Sequence, residues 1–98
     1  MGKMLVFTNA VEGRDDEYNQ WYDEVHLGEV LALPEFVGAT RHKLADAQMF
    51  PDQSHGYLAI YEYKGDAADA VAALGAAAGS LNMSDALAAD ARVVLFDD

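Results

Sequence analysis

The sequence predicts an α+β domain, with four strands and two helices in the order β-α-β-β-α-β over residues 1–98. Three observations carry this. Gly56 to Tyr63 (GYLAIYEY) concentrates aromatic and branched residues in one strand-length run. Tyr18, Trp21, Tyr22 and Val25 recur at helical spacing and mark one buried helix face. An alanine-rich stretch follows Lys64-Gly65 and reads as a second helix.

Lys3 to Val11 is rich in Leu, Val, Phe and Thr and reads as the first strand. Glu12-Gly13-Arg14 turns the chain, and Asp15 or Asp16 can cap a helix running from about Asp16 to about His26. Gly28 is expected to interrupt it, with Glu29 to Leu33 a short extra turn ended by Pro34. Phe36 to Leu44 reads as the second strand, Ala45 to His55 as a loop, and Gly56 to Tyr63 as the third strand. Asp66 is placed to cap the alanine-rich helix, with Asp69 at the capping-box position. Gly75 and Gly79 limit that helix, Ser84-Asp85 can start another short one, and Ala91 to Phe96 is a last strand.

This order is the split β-α-β arrangement, a ferredoxin-like four-stranded antiparallel sheet with both helices on one face. The other face then has no cover. Strands two and three carry apolar residues on both faces, so the bare face invites a second copy of the chain.

Seventeen acidic residues face six basic ones, a formal net charge of -11. Such a chain repels phosphate backbones and anionic lipid, so neither nucleic acid nor membrane is an expected partner. No cysteine is present, which removes disulfides, thiol nucleophiles and thiolate metal sites. The apolar start of the chain is brief and soon charged, unlike a signal peptide, so a cytoplasmic location is expected.

The helix-to-strand segment carries Trp21, Tyr22, Asp23 and His26, then Ala32, Leu33, Pro34, Phe36, Val37, Ala39, Arg41 and His42. This W-Y-D-x-x-H pattern followed by a-L-P-x-F-V-x-A-x-R-h resembles the EthD-like families of the dimeric α+β barrel superfamily. The resemblance runs from the first strand to about Leu74 and is weakest after Gly79. It implies two subunits paired sheet to sheet into a barrel, and in each a pocket between its own sheet and helices. It also implies a range of chemistries: cofactor-independent monooxygenases of aromatic polyketides, polyketide cyclases, lactone isomerases and haem-binding members. One fold hosting many reactions cannot choose between them.

His26 is the leading catalytic candidate, because its ordinary pKa lies near neutrality. Tyr22, four residues earlier, shares its helix face. A Tyr-His pair in an apolar pocket can polarise a carbonyl and remove an adjacent proton. The plain alternative is a histidine favoured at a helix C-terminus by the dipole. Asp23 can orient His26 or serve the helix surface. Trp21 reads as packing whose indole N–H seeks a partner. Thr40 and His42 share one face of the second strand, and Arg41 and Lys43 the other. This basic run can bind a substrate carboxylate or pair with acidic residues of another subunit. Tyr57, Tyr61 and Tyr63 form an aromatic stripe in the third strand, and His55 sits at the loop mouth. Thr8 and Asn9 can add hydrogen bonds to a pocket. The substrate-binding set is therefore Asn9, Thr8, Trp21, His42, Tyr57 and Tyr61.

The three histidines form no local metal motif, none stands out as a haem ligand, and no phosphate-binding glycine loop is present. No metal and no cofactor are expected. The expected function is a small enzyme acting by His/Tyr acid-base chemistry on a hydrophobic carbonyl-containing or aromatic substrate of polyketide, terpenoid or steroid type. Cyclase, isomerase, lyase and monooxygenase chemistry all fit. The competing expectation is a non-catalytic binding or accessory protein for a hydrophobic small molecule.

Overall fold

A computed structural model describes residues Met1–Asp98. β1 (Gly2–Thr8), β2 (Phe36–Lys43), β3 (Tyr57–Tyr63) and β4 (Arg92–Asp97) form one sheet in the order β2-β3-β1-β4, with every neighbouring pair antiparallel. This is the predicted ferredoxin-like arrangement.

The first helix differs from its expected form. α1 (Asp15–Trp21), a π-helical turn (Tyr22–His26) and α2 (Leu27–Leu31) follow one another without a break. Gly28 does not interrupt it. A helical glycine costs only about 1 kcal/mol against alanine, and burial of Tyr22 and Val30 on either side outweighs that. The end comes before Pro34, where the amides of Ala32 and Leu33 close onto Gly28 and Val30.

α3 (Ala67–Ala77) begins with the Asp69 and Ala70 amides on the Asp66 carbonyl, and no side chain caps it. The capping box read from Asp66 and Asp69 is therefore not made. No helix forms at Ser84-Asp85 either. The Ser84 hydroxyl accepts the Ala86 amide at 3.0 Å and holds a turn. The backbone beyond it extends the sheet region: the Val11 amide reaches the Ala86 carbonyl and the Ala88 amide reaches that of Asn9.

Strand alternation sends Met4, Thr8, Ala59, Tyr61 and Tyr63 toward the helices, where they meet Tyr18, Tyr22, Val30 and Ala70. A bulge between Phe36 and Gly38 lets both Phe36 and Ala39 pair with helix-facing tyrosines, Tyr63 and Tyr61. Leu5, Phe7, Leu58, Ile60, Val94 and Phe96 occupy the alternate positions. That face carries no helix, and Phe96 is 58% exposed.

Candidate functional site

The π turn organises the first candidate region. The Leu27 amide bonds the Tyr22 carbonyl five residues back, so the helix is one residue wider there. The extra residue brings Trp21 beneath His26: their rings stack at 4.7 Å and 23°. Tyr22 meets the same imidazole edge-on at 5.0 Å and 89°. His26 is thus mid-helix rather than at a C-terminus. Its Nδ1 is buried and has no hydrogen-bond partner, although the residue as a whole is only half-buried. Burial pulls the His26 pKa below its ordinary value, against a smaller opposing pull from Glu29. At neutral pH the ring is an uncharged base.

Tyr22 is 1% exposed. Its hydroxyl accepts a hydrogen bond from Tyr61 at 3.3 Å, which leaves its own proton uncommitted within the chain. Burial raises the pKa of both phenols, so both stay protonated. The Arg41 guanidinium lies 4.4 Å from the Tyr22 ring centre. It also donates to Asp23 at 2.7 Å and to Asn19 at 2.8 Å. Asp23 is therefore the partner of Arg41, not the orienting group of His26. Arg41 pairs within its own chain and faces the helices. Tyr57 donates to Asp15 at 2.6 Å, and Thr8 bonds the Tyr18 hydroxyl. The Trp21 indole donates to the Asn82 carbonyl at 2.7 Å, and Glu29 accepts the Asn82 amide. The segment around Asn82 is thereby strapped beside His26.

The pocket that the resemblance implies between sheet and helices is taken up by aromatic packing. Thr8, Tyr22 and Tyr61 are buried in that layer. A groove of about 580 Å³ opens instead on the helix-free face, under the loop after β2. His42 and Tyr57 line it with Phe7, Leu58, His55 and Arg92, while Tyr22 and His26 do not. His42 bonds Thr40 at 2.9 Å, and His55 donates Nε2–H to the Asp90 carbonyl at 2.8 Å. The Asn9 amide pins the roof, donating to Ser54 at 2.8 Å and accepting from Gly56 at 2.8 Å. The sequence-derived residues thus divide between two faces of the sheet. Arg92 was not anticipated, although alternation through ARVVLF places it on one face with Val94 and Phe96. No group of three or more His, Asp or Glu side chains converges as a metal site. No helix is long and apolar enough to cross a membrane.

The chain matches no protein-family model and no curated protein sequence. Among solved structures it is similar to a single-site mutant of MhuD, which holds two manganese protoporphyrin IX molecules per active site. That match has a TM-score of 0.67 and 13% identity, and covers 100% of this chain and 94% of the other. It is also similar to a proposed monooxygenase from Shewanella loihica PV-4, with a TM-score of 0.61, 10% identity, and coverage of 100% and 96%. A third likeness is to an EthD family protein from Bacillus halodurans C-125, with a TM-score of 0.58, 9% identity, and coverage of 100% and 99%. What these likenesses share with the chain is its fold, the ferredoxin-like α+β sheet-and-helix arrangement of the EthD family protein.

Proposed function

We propose that the chain is a small enzyme that moves a proton at a hydrophobic carbonyl-containing or aromatic substrate, of polyketide, terpenoid or steroid type. His26 is the base and Tyr22 the hydrogen-bond donor. The observation that carries this reading is the imidazole itself: clamped between two rings, half-buried, its pKa lowered by burial, with Nδ1 enclosed and unpartnered. A buried polar atom without a partner is rare in stable cores and is frequent at reactive sites. Nε2 takes the proton beside the carbonyl, and the Tyr22 hydroxyl, polarised by Tyr61 behind it, steadies the developing oxyanion. Cyclisation, isomerisation and lyase steps need only this pair, and oxygen addition to an activated phenol starts with the same proton removal. No cofactor is invoked for any proton step. Tyr22 is buried, and the neighbouring segment around Asn82 is held by side-chain hydrogen bonds of Trp21 and Glu29.

Two copies pair through the helix-free sheet face in the same proposal, which covers Phe96 and its apolar neighbours. The test of the chemistry is a screen of anthrones, cyclic ketones and unsaturated lactones for turnover. His26→Ala is expected to lower kcat about 10²- to 10⁴-fold, the usual contribution of a positioned base. Tyr22→Phe is expected to lower it by about 10²-fold. Turnover surviving both changes rules out the assigned roles.

One observation favours a second reading, binding without chemistry. The groove under the loop lies on the opposite sheet face from His26. That reading expects apolar ligands to bind with the same affinity in both variants, with no turnover of any compound in the screen.

A further inference from the structure

We infer that the loop after β2 is a docking arm, whose Met49-Phe50 tip seats in the helix-free-face groove of a second copy, and reciprocally. The inference rests on the proposed sheet-to-sheet pairing and names the segment that completes it. It requires nothing of His26, which stands on the other side of the sheet. A groove so filled takes no small ligand, which sets this inference against binding without chemistry.

Exposure is the first argument. Met49 is 91% exposed and Phe50 74%, side by side at the middle of the loop. Two adjacent large apolar side chains so far outside the chain's own core form a contact surface that lacks its partner. Hydrogen bonds hold the loop in that form. The Leu44 amide closes its base on the Gly56 carbonyl at 2.8 Å, and the Asn9 side-chain amide donates to the Ser54 carbonyl. Gln48 donates to the Ala45 carbonyl at 2.9 Å, and Gln53 to that of Phe50 at 2.8 Å. Pro51 stiffens the backbone just beyond Phe50. An arm ordered before contact loses less entropy on docking.

Charge complementarity chooses the occupant. None of the 15 residues lining the groove is acidic, yet Arg92, Lys43, His42 and His55 are among them. The loop is the converse: from Ala45 to Ser54 it carries Asp46 and Asp52 and no Lys, Arg or His. Arg92 and Lys43 take part in no ion pair of the chain, and neither do Asp46 and Asp52. One register row runs His42, Leu58, Phe7, Arg92, so an apolar pair lies between a histidine and an arginine. An apolar tip between two carboxylates matches that row in both polarity and charge. Both halves of the match belong to this chain, so a second copy supplies it in each direction.

Reach agrees with this. Packed sheets lie about 10 Å apart. A loop of about ten residues extends up to about 17 Å from its base. Loop and groove share one end of the sheet, since Leu44, Ala45, Ser54 and His55 line the groove. A two-fold axis at that end lays each tip on the groove of the other copy. Flat contact between the sheets alone leaves the groove, about 580 Å³, without partner atoms. Phe50 fills it with Met49, whose flexible thioether adapts to irregular space.

The test is sedimentation equilibrium of the full chain, with half-filtered NOEs in mixtures of labelled and unlabelled copies. NOEs are expected between the Phe50 ring of one copy and the Leu58 and Val94 methyls of the other. Phe50→Ser should weaken the dimer about a hundredfold or more, because one apolar ring is lost at each of two symmetric contacts. Circular dichroism should stay unchanged, since Phe50 lies outside the core of its own chain. Asp46→Lys with Asp52→Lys lowers the net negative charge, so bulk repulsion alone would tighten the dimer. The docked arm reverses that sign: the double variant is expected to dimerise about tenfold or more weakly. Adding Arg92→Glu and Lys43→Glu should recover most of the loss. A dimer that ignores Phe50→Ser yet comes apart with Phe96→Lys leaves the pairing standing and overturns the arm. A double-lysine variant that dimerises as tightly as the wild type overturns the charge match that selects the arm. NOEs that arise within one copy overturn the second-copy assignment. A wild-type monomer at micromolar concentration overturns arm and pairing together.

Discussion

His26 links the site to pH. Its folded-state pKa lies below the ordinary value of 6.5 because burial disfavours the charged ring. Between that lowered value and 6.5 the unfolded chain binds more protons than the folded one, so stability rises with pH there. The stabilisation is complete above about pH 6.5 and is lost as pH falls through the folded pKa. His26→Gln should flatten this part of a pH-dependent urea-unfolding series; an unchanged slope contradicts the burial argument. The Tyr22–Tyr61 hydroxyl pair makes a second residue-scale prediction. Tyr61→Phe and Tyr22→Phe should each cost about 1 kcal/mol in denaturant unfolding, and the double variant less than their sum. Full additivity would mean that the hydroxyls do not interact. Spacing made Tyr22 and His26 legible as residues of one face. The ring stack on Trp21 was not legible, because it depends on one extra residue in the helical turn.

At the scale of elements, Arg41 joins β2 to α1 through Asp23, Asn19 and the tyrosine faces. The Arg41 side chain is 12% exposed and that of Asp23 60%. Arg41→Ala should therefore cost about 2–3 kcal/mol in unfolding, and Asp23→Ala under about 1 kcal/mol, since a half-exposed carboxylate recovers water when unpaired. Equal losses would mean that the ion pair, and not the packing of the guanidinium on Tyr22, dominates. Gly2 gives a sharper packing test. A Cβ there would run into the Phe96 carbonyl and the Tyr63 hydroxyl where β1 meets β4 and β3. Gly2→Ala is expected to lower the melting temperature by several degrees, whereas Gly28→Ala, with open space around it, should raise or preserve it. Strands were readable because alternation and aromatic density are local signals. The Gly28 break and the Ser84 helix were misread because tertiary partners decided both. Buried neighbours carried the helix through glycine, and the segment just after β1, Asn9 to Val11, claimed the backbone around Ala86.

For the whole molecule, the order of elements was enough to give the sheet and its uncovered face. It could not say which face holds a cavity, since the side-chain volumes of Tyr18, Tyr22 and Tyr61 fill the layer that would otherwise be open. The proposed pairing of two copies through the bare face would bring together chains of net charge -11. Sedimentation should show a dimer that tightens as salt rises, because screening weakens the mutual repulsion. Phe96→Lys should shift it to monomer; a wild-type monomer at micromolar concentration contradicts the pairing. The proposed role of His26 as a base requires an imidazole that is uncharged at neutral pH. Its most direct test is an imidazole ¹⁵N NMR titration from pH 4 to 8. The expected result is a His26 pKa below 6.5 and a ring that is neutral throughout the physiological range. A pKa at or above 6.5, with a cationic ring at pH 6, would contradict it.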